Sequence, residues 1–161
     1  MFKILIALGL LTSIGLGAYF LSTKRHQKTE QELAEDEKYK AKLTPLQFHV
    51  TREAGTERAF SGKYWDNKES GTYHCVCCDT ALFDSKTKYE SGTGWPSFWK
   101  PIADDRIDEK DDYKLLVKRT EVLCSQCDAH LGHVFRDGPK PTGLRYCLNS
   151  AALNFVEGKE K

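Results

Sequence analysis

Two Cys-x-x-Cys pairs constrain this 161-residue chain more than any other feature. The pairs are Cys75/Cys78 and Cys124/Cys127. Two such pairs that converge in space supply the four thiolates of a tetrahedral zinc site, in which each sulfur lies about 2.3 Å from the metal. The gap between the pairs is longer than the roughly 15–20 residues of an ordinary zinc ribbon. We therefore expect two knuckles on distant hairpins that one structural zinc ion holds together.

Two other interpretations of these pairs are two local disulfides or one redox-active pair. A disulfide within Cys-x-x-Cys closes a strained loop and makes a poor structural crosslink. Asp79 and Asp128 each follow the second cysteine of a pair, as expected for two turns of similar shape. Zinc is therefore the preferred interpretation. Cys77, inside the first pair, is expected to face away from the ligand sulfurs as a small buried side chain.

The N-terminal residues differ from the rest of the chain. Residues 4–22 contain no charged residue, and as a helix they would span roughly 28 Å, close to the hydrocarbon thickness of a bilayer. This pattern predicts that residues 1–22 anchor the protein in a membrane. The alternative is a cleaved signal and a secreted protein, although Gly15-Leu16-Gly17 is only a weak cleavage site. Residues 23–42 are predicted to form a charged linker, for which partly helical and disordered states are equal alternatives.

Residues 43–161 are predicted to form one mainly β domain. Thr44, Pro45 and Gln47 form a capping box with proline at the first helical position, which predicts a helix start. After residue 56, short apolar runs alternate with turns, and no long amphipathic helical pattern occurs. The predicted strands are 71–75, 81–83, 113–119, 121–124, 130–135, 145–148 and 153–156. Together they indicate antiparallel sheets with short peripheral helices.

Cys147 is the cysteine left for chemistry, because the zinc site does not use it. Arg145 and Asn149 lie two residues to either side, hence on the same face if the segment is a strand. An arginine beside a cysteine favours the thiolate, and an asparagine can hydrogen-bond a substrate or water. The competing interpretation is an inert buried cysteine, which is the commoner case.

Two further motifs carry chemically useful side chains. His130 and His133 are three residues apart and can serve as a proton donor and its orienting partner. Metal ligands and hydrogen-bonded structural histidines remain alternatives. Trp95 stands between Gly94 and Pro96, which is typical of a positioned aromatic wall, with core packing as the alternative.

Four blocks of this sequence closely resemble the methionine-R-sulfoxide reductase B family. They cover residues 43–83, 91–102, 119–139 and 143–153. The resemblance implies a β-tent fold of two antiparallel sheets, with a four-cysteine zinc site on the side away from the active site. It also implies reduction of the R epimer of methionine sulfoxide, one of the two epimers for which separate enzymes exist.

Residue roles follow from the resemblance position by position. Cys147 matches the catalytic nucleophile, and Trp95 matches the aromatic ring that packs on the substrate methyl group. The polar shell around the sulfoxide matches His130, His133, Asp137, Arg145 and Asn149. The zinc ligands match Cys75, Cys78, Cys124 and Cys127. In the implied reaction Cys147 attacks the sulfoxide sulfur, His133 protonates the oxygen with support from His130 and Asp137, and Cys147 becomes a sulfenic acid.

Thr93 departs from the family pattern, because many members have a resolving cysteine there. The chain is therefore expected to need an external thiol reductant such as a thioredoxin-like protein. Resemblance to exported repair enzymes places the anchored domain on the extracytoplasmic side, which is the periplasm if the source is bacterial. The protein is predicted to be a monomer. The chain has 24 Lys and Arg against 23 Asp and Glu, so no basic surface predicts nucleic-acid binding. The rival classes are a zinc-stabilised binding module and a thiol–disulfide oxidoreductase.

Overall fold

The computed structural model of this protein describes residues 30–114 and 117–158. They form two antiparallel sheets, with two short helices before the first strand. The helices are α1 (Glu30–Lys42) and α2 (Pro45–Arg52). The strands are β1 (Gly71–Cys75), β2 (Ala81–Asp84), β3 (Lys88–Tyr89), β4 (Ser97–Phe98), β5 (Ile107–Asp112), β6 (Arg119–Cys124), β7 (His130–Phe135), β8 (Arg145–Leu148) and β9 (Leu153–Glu157). This architecture confirms the predicted mainly β fold with two antiparallel sheets and peripheral helices.

Aromatic side chains join the two sheets. The three-stranded sheet has the order β2-β1-β9, and the six-stranded sheet has the order β3-β4-β8-β7-β6-β5. Tyr73 and Phe83 of the smaller sheet pack against Phe98 of the larger one, with ring centroids 5.0 Å and 4.7 Å apart. All three rings are fully buried, so they supply much of the apolar area that holds the sheets together. Within the larger sheet, β8 lies between β4 and β7.

The strand predictions missed the two-residue strands β3 and β4 and failed around β5. The strand expected over 113–119 is wrong for the residues that the structure describes there, because β5 ends at Asp112, residues 113–114 and 117–118 are not in a strand, and β6 begins at Arg119. Four consecutive residues of β5, 108–111, are exposed and charged, so no alternating apolar pattern marks it. β5 is an edge strand that pairs along its whole length with β6. This pairing uses backbone hydrogen bonds, so it does not require an alternating apolar pattern in the side chains.

Helix α2 begins as its capping box predicts. The Gln47 backbone N–H donates to Thr44 Oγ1 at 3.3 Å, and the Thr44 N–H donates to Gln47 Oε1 at 3.0 Å. Residues 30–42 of the predicted linker form helix α1. Helix α1 packs against α2, where the Arg52 guanidinium lies 4.7 Å from the centroid of the Tyr39 ring. Arg52 also donates to the Cys127 carbonyl at 2.8 Å. The two helices therefore brace one of the cysteine knuckles.

The prediction of a membrane-attached protein requires correction. Within residues 30–114 and 117–158, no helix is both long enough and apolar enough to cross a bilayer. The predicted membrane anchor and the extracytoplasmic location of an anchored domain are therefore not supported. The segment on which the anchor prediction rested, residues 4–22, lies outside the described residues, as does the signal-cleavage site considered as its alternative.

Candidate active site and metal centre

The register of the six-stranded sheet sets the environment of Cys147. Across β8, Cys147 is paired with Ser97 of β4 on one side and with His133 of β7 on the other. Directly opposed residues in antiparallel strands share a face of the sheet and have Cβ atoms about 4.5–5.5 Å apart. Strand pairing therefore brings a hydroxyl, a thiol and an imidazole into one row, although the three residues are far apart in sequence.

A small cavity of about 120 Å³ opens beside this row. Its walls include Trp95, Arg119, His133, Phe135, Cys147 and Asn149. The indole Nε1 of Trp95 donates to the Glu57 carbonyl at 3.2 Å, which fixes the plane of the ring. The structure thus gathers four of the predicted site residues around one cavity and adds Arg119 and Phe135, which had not been predicted as site residues.

Each histidine is bonded to a different carboxylate. His133 Nε2 lies 2.8 Å from Asp112 Oδ2, and His130 Nδ1 lies 2.6 Å from Glu121 Oε1. The ring centroids of the two histidines are 5.4 Å apart. Among the described residues, the second nitrogen of buried His130, Nε2, has no hydrogen-bond partner. For His133, the bond to Asp112 leaves Nδ1 as the nitrogen that can face a ligand.

The electrostatics of His133 combine two opposing effects. Burial lowers the pKa of His133, and the hydrogen bond to the Asp112 carboxylate works in the opposite direction. Asp112 also accepts the Lys114 backbone N–H at 2.8 Å and Arg119 Nη2 at 2.6 Å. The Lys114 N–H, His133 and Arg119 together hold the pKa of Asp112 well below its usual range. Asp112 is therefore a fixed carboxylate that orients His133.

The Asn149 side chain is held by backbone groups. Its Nδ2 donates to the Leu131 carbonyl at 3.1 Å, and its Oδ1 accepts the Glu57 backbone N–H at 3.0 Å. The Glu57 side chain in turn accepts the backbone N–H groups of Ser150 and Ala151, at 2.6 Å and 2.9 Å. Glu57 is 3% exposed, so a buried carboxylate ties the segment before β1 to the end of β8. Glu57 thus positions both Trp95 and Asn149.

Asp137 and Arg145 form an ion pair with each other. The Arg145 guanidinium donates two parallel hydrogen bonds to the Asp137 carboxylate, at 2.9 Å and 2.8 Å, and stacks 4.3 Å from the Phe135 ring centroid. These bonds, and less strongly the charge of a Cys147 thiolate, raise the pKa of Arg145. The carboxylate that contacts His133 is therefore Asp112, whereas Asp137 holds the cation beside Cys147.

The two cysteine pairs converge on a metal-sized centre. The Sγ atoms of Cys75, Cys78, Cys124 and Cys127 all lie within 4.8 Å of one another. The Cys75–Cys127 and Cys78–Cys124 sulfur separations are 3.7 Å and 3.6 Å. Tetrahedral sulfurs about 2.3 Å from zinc would be roughly 3.8 Å apart, so the four thiols fit that ion. None of these four cysteines lines the cavity at Cys147.

Cys77 is a small buried side chain, as expected, but its orientation differs from the prediction. It interacts with the thiols of Cys75 and Cys127 and with Thr51, so it does not face away from the ligand sulfurs. Thr51 of α2 contacts this thiol, and Lys42 of α1 donates to the Cys77 carbonyl at 2.8 Å, so both helices approach the first knuckle.

Fold and site together define a class of protein: a small two-sheet β domain with a four-thiol cluster that could hold a metal ion and a separate cavity lined by a cysteine and a histidine. This chain belongs to the SelR domain family, whose pattern matches residues 43–157. The match confirms the resemblance on which the residue roles were based.

The chain is similar to several named proteins from plants and bacteria. The chain is 59% identical over 118 residues to "Peptide methionine sulfoxide reductase B1, chloroplastic" of Oryza sativa subsp. japonica and 55% identical over 127 residues to the protein of that name in Arabidopsis thaliana. These matches cover 73% and 79% of this chain but only 55% and 63% of the plant proteins. It is 58% identical over 120 residues to "Peptide methionine sulfoxide reductase MsrB" of Hahella chejuensis, covering 74% of this chain and 86% of the relative.

Proposed function

We propose that this protein is an oxidoreductase that reduces the R epimer of methionine sulfoxide in oxidised proteins to methionine. Similarity at 55–59% identity to proteins named peptide methionine sulfoxide reductase supports the reaction class. The observation that carries the proposal is the pairing of Cys147 with His133 across adjacent strands, on a cavity that Trp95 also lines. A nucleophile, a proton donor and an aromatic wall are the three parts that sulfoxide reduction needs.

The reaction begins at the Cys147 sulfur. Its thiolate attacks the electrophilic sulfur of the sulfoxide and forms an S–S bond, while His133 donates a proton from Nδ1 to the sulfoxide oxygen. The resulting hydroxyl group then moves from the substrate sulfur to the Cys147 sulfur, and the S–O and S–S bonds of the substrate sulfur break with the electron pair left on that sulfur. The substrate leaves as methionine and Cys147 becomes a sulfenic acid, so cysteine loses the two electrons that the sulfoxide gains. His130 and Arg145 complete the polar surroundings, and Asp137 holds Arg145 in place.

The cavity supports a preference for one epimer, and the resemblance to methionine-R-sulfoxide reductases is the reason to assign that epimer as R. Trp95 offers an apolar face to the substrate methyl group, while His133 and Arg119 offer donors to the oxygen. At a chiral sulfur, exchanging the epimer exchanges the methyl group and the oxygen. The S epimer would then place its oxygen against the indole and its methyl group against the donors, which leaves buried polar groups without partners.

The four paired cysteines would hold zinc in a structural role. When bound, zinc supplies folding free energy by joining the hairpin after β1 to the hairpin after β6. Because this centre and the cavity use different residues, the domain separates the groups that stabilise it from the groups that react.

A single-turnover experiment tests the reaction class. Fully reduced protein is mixed with an equal amount of N-acetyl-methionine sulfoxide in the absence of any reductant. We expect formation of at most one N-acetyl-methionine per active site, and a protein mass increase of one oxygen atom on Cys147 in each molecule that has reacted. Oxidation of a Cys-x-x-Cys pair would support a thiol–disulfide oxidoreductase instead, and unchanged substrate would support a binding module.

The Asp112→Asn variant is expected to lower the rate about tenfold at neutral pH. In the wild type, burial lowers the pKa of His133 and the hydrogen bond to the Asp112 carboxylate raises it. Removing the carboxylate removes the raising effect, so the pKa of His133 should be lower in the variant than in the wild type. A smaller fraction of His133 is then protonated at neutral pH, and the decline of rate with rising pH begins at a lower pH than in the wild type. The check is the pH dependence of kcat/KM in both proteins.

The matched control for that measurement is Asp111→Asn. Asp111 is the adjacent residue, but its carboxylate is exposed and paired with Lys118 at 2.9 Å. We expect this variant to keep the wild-type pH profile. An unchanged profile in Asp112→Asn would contradict the assignment of His133 as the proton donor.

The Thr93→Cys variant is expected to restore an internal resolving step. Thr93 Oγ1 lies 3.7 Å from Cys147 Sγ, so a thiol at this position is close enough for a disulfide after small adjustments. After one turnover without reductant, the wild type should carry a sulfenic acid, whereas the variant should carry a Cys147 disulfide and lose water. Mass spectrometry of alkylated digests distinguishes the two, and a disulfide between Cys77 and Cys147 in the wild type would contradict the account of recycling.

A further inference from the structure

We propose that the hydroxyl groups of Ser97, Ser91 and Thr93 form a hydrogen-bonded chain that stabilises the thiolate of Cys147. Thr93 contacts the reacting sulfur and is assigned here as a catalytic residue, while Ser91 and Ser97 are positioning residues that act through it. The inference rests on the proposed function only in taking Cys147 as the nucleophile.

The chain is continuous in space. Thr93 Oγ1 lies 3.7 Å from Cys147 Sγ, Ser91 Oγ lies 2.8 Å from Thr93 Oγ1, and Ser97 Oγ lies 2.7 Å from Ser91 Oγ. Ser97 Oγ also reaches the Trp95 carbonyl at 3.2 Å. The hydroxyl–hydroxyl distances are those of strong O–H···O hydrogen bonds, and the contact to sulfur has the greater length that a larger atom requires.

The chain has two consistent arrangements of its protons. A hydroxyl has one proton to donate and two lone pairs to accept with. When Cys147 is a thiol, it can donate to Thr93, which donates to Ser91, then Ser97, then the Trp95 carbonyl. When Cys147 is a thiolate, Ser97 donates to Ser91, Ser91 to Thr93, and Thr93 to the sulfur.

Reversing the donors and acceptors along the three hydroxyl groups gives up only one hydrogen bond to the protein. No heavy atom moves, the two short bonds persist with their donors exchanged, and the contact that is given up is the 3.2 Å bond to the Trp95 carbonyl. In exchange, the charged sulfur gains a donor whose hydrogen bond is polarised by two others behind it. The thiolate is therefore stabilised more than the thiol, since S–H is a weak donor.

The local backbone is shaped to build this chain. Gly92 and Gly94 have φ values of +70° and +88°, a region that glycine adopts without strain, and together they fold Ser91 back onto Thr93 and Ser97. A Cβ at Gly94 would also lie 2.8 Å from the Phe60 backbone nitrogen. Ser97 is fully buried and directly opposes Cys147 in the β4–β8 pair, so its hydroxyl cannot turn to water.

Other charged or titratable groups also face the sulfur. They are His133 from β7, Arg145 on β8 with its partner Asp137, and Tyr89 from β3, whose pKa is raised by burial and shifted by the charges of Arg145, Asp137 and Cys147. Substitutions within the hydroxyl chain leave all of these in place. A change in the behaviour of Cys147 in such variants can then be assigned to the hydroxyls.

The test is the pH dependence of Cys147 alkylation by iodoacetamide in the zinc-loaded protein, followed by mass spectrometry. Thr93→Val keeps the side-chain shape and removes the hydroxyl, so the pH midpoint should rise by about one unit, and the rate at pH 7 should fall about tenfold. Thr93→Ser should stay near the wild type. Ser91→Ala and Ser97→Ala should each shift the midpoint upward by a smaller amount.

The matched control is Thr72→Val, the same change on β1 of the smaller sheet, which should leave the midpoint unchanged. Melting temperature and zinc content confirm that each variant is folded. A Thr93→Val midpoint equal to that of the wild type would overturn the proposal. A shift in Thr93→Val with no shift in Ser91→Ala or Ser97→Ala would show that the two serines do not act on Cys147 through Thr93. Alkylation needs no sulfoxide, so these results stand apart from a failure of the proposed function.

Discussion

Replacing Cys147 with serine is expected to abolish sulfoxide reduction, with a loss of at least about 1,000-fold in kcat/KM. A serine hydroxyl is far less nucleophilic than a thiolate, and it cannot form a stable oxidised product by accepting the sulfoxide oxygen. That loss corresponds to a barrier increase of about 4 kcal/mol. The check is steady-state turnover with dithiothreitol and N-acetyl-methionine sulfoxide.

Cys77→Ser makes the same chemical change at the other cysteine outside the four-thiol centre. This variant is the matched control, and we expect it to keep its rate within about threefold of the wild type. Cys147→Ser should also keep its zinc and its melting temperature, because Cys147 is not among the clustered thiols. Residual activity of Cys147→Ser within about tenfold of the wild type would contradict the role of this residue.

Replacing Cys124 with serine is expected to destabilise the domain by at least about 4 kcal/mol in the free energy of unfolding. Cys124 is fully buried at the end of β6, and its sulfur lies 3.6 Å from Cys78 Sγ across the centre. Loss of one thiolate weakens zinc binding, and the binding free energy of a structural zinc is folding free energy. A fall in Tm of more than about 15 °C should accompany the loss of zinc.

The neighbouring variant Ser125→Ala serves as the control, because Ser125 lies in the same knuckle but is not a ligand. We expect it to keep zinc and to melt within a few degrees of the wild type, since it loses only one exposed hydrogen bond. Metal content by elemental analysis and unfolding by circular dichroism give the two readouts. A Cys124→Ser protein that lacks zinc but melts like the wild type would show that the centre is not structural.

The parts of this protein that sequence reasoning predicted are those set by local chemistry. The capping box at Thr44 fixes a helix start within one turn, and the strand that carries Cys147 is marked by its own residues. The convergence of the two cysteine pairs was predictable because a metal explains four cysteines at that spacing. The helix start and the strand are each determined by residues within a few positions of one another. The two cysteine pairs are distant in sequence, but one metal ion would bind both.

The parts that were missed depend on contacts between distant segments. Asp112 ends a charged edge strand with no apolar pattern, and only the β5–β6–β7 pairing carries it to His133. Glu57 lies in an irregular segment, and its four hydrogen bonds go to residues near positions 95 and 150. A buried carboxylate whose partners are distant in sequence gives no local signal. Such partners emerge only when strand order and register are known.

The most direct measurement for the central claim is reduction of separated R and S epimers of N-acetyl-methionine sulfoxide by the wild-type protein, with Cys147→Ser alongside. We predict rapid reduction of the R epimer, at least about 100-fold slower reduction of the S epimer, and no reduction of either by the variant. Equal rates for the two epimers would contradict the proposed arrangement of Trp95 and His133 around the substrate. Preference for the S epimer, or turnover by Cys147→Ser, would contradict the proposed function itself.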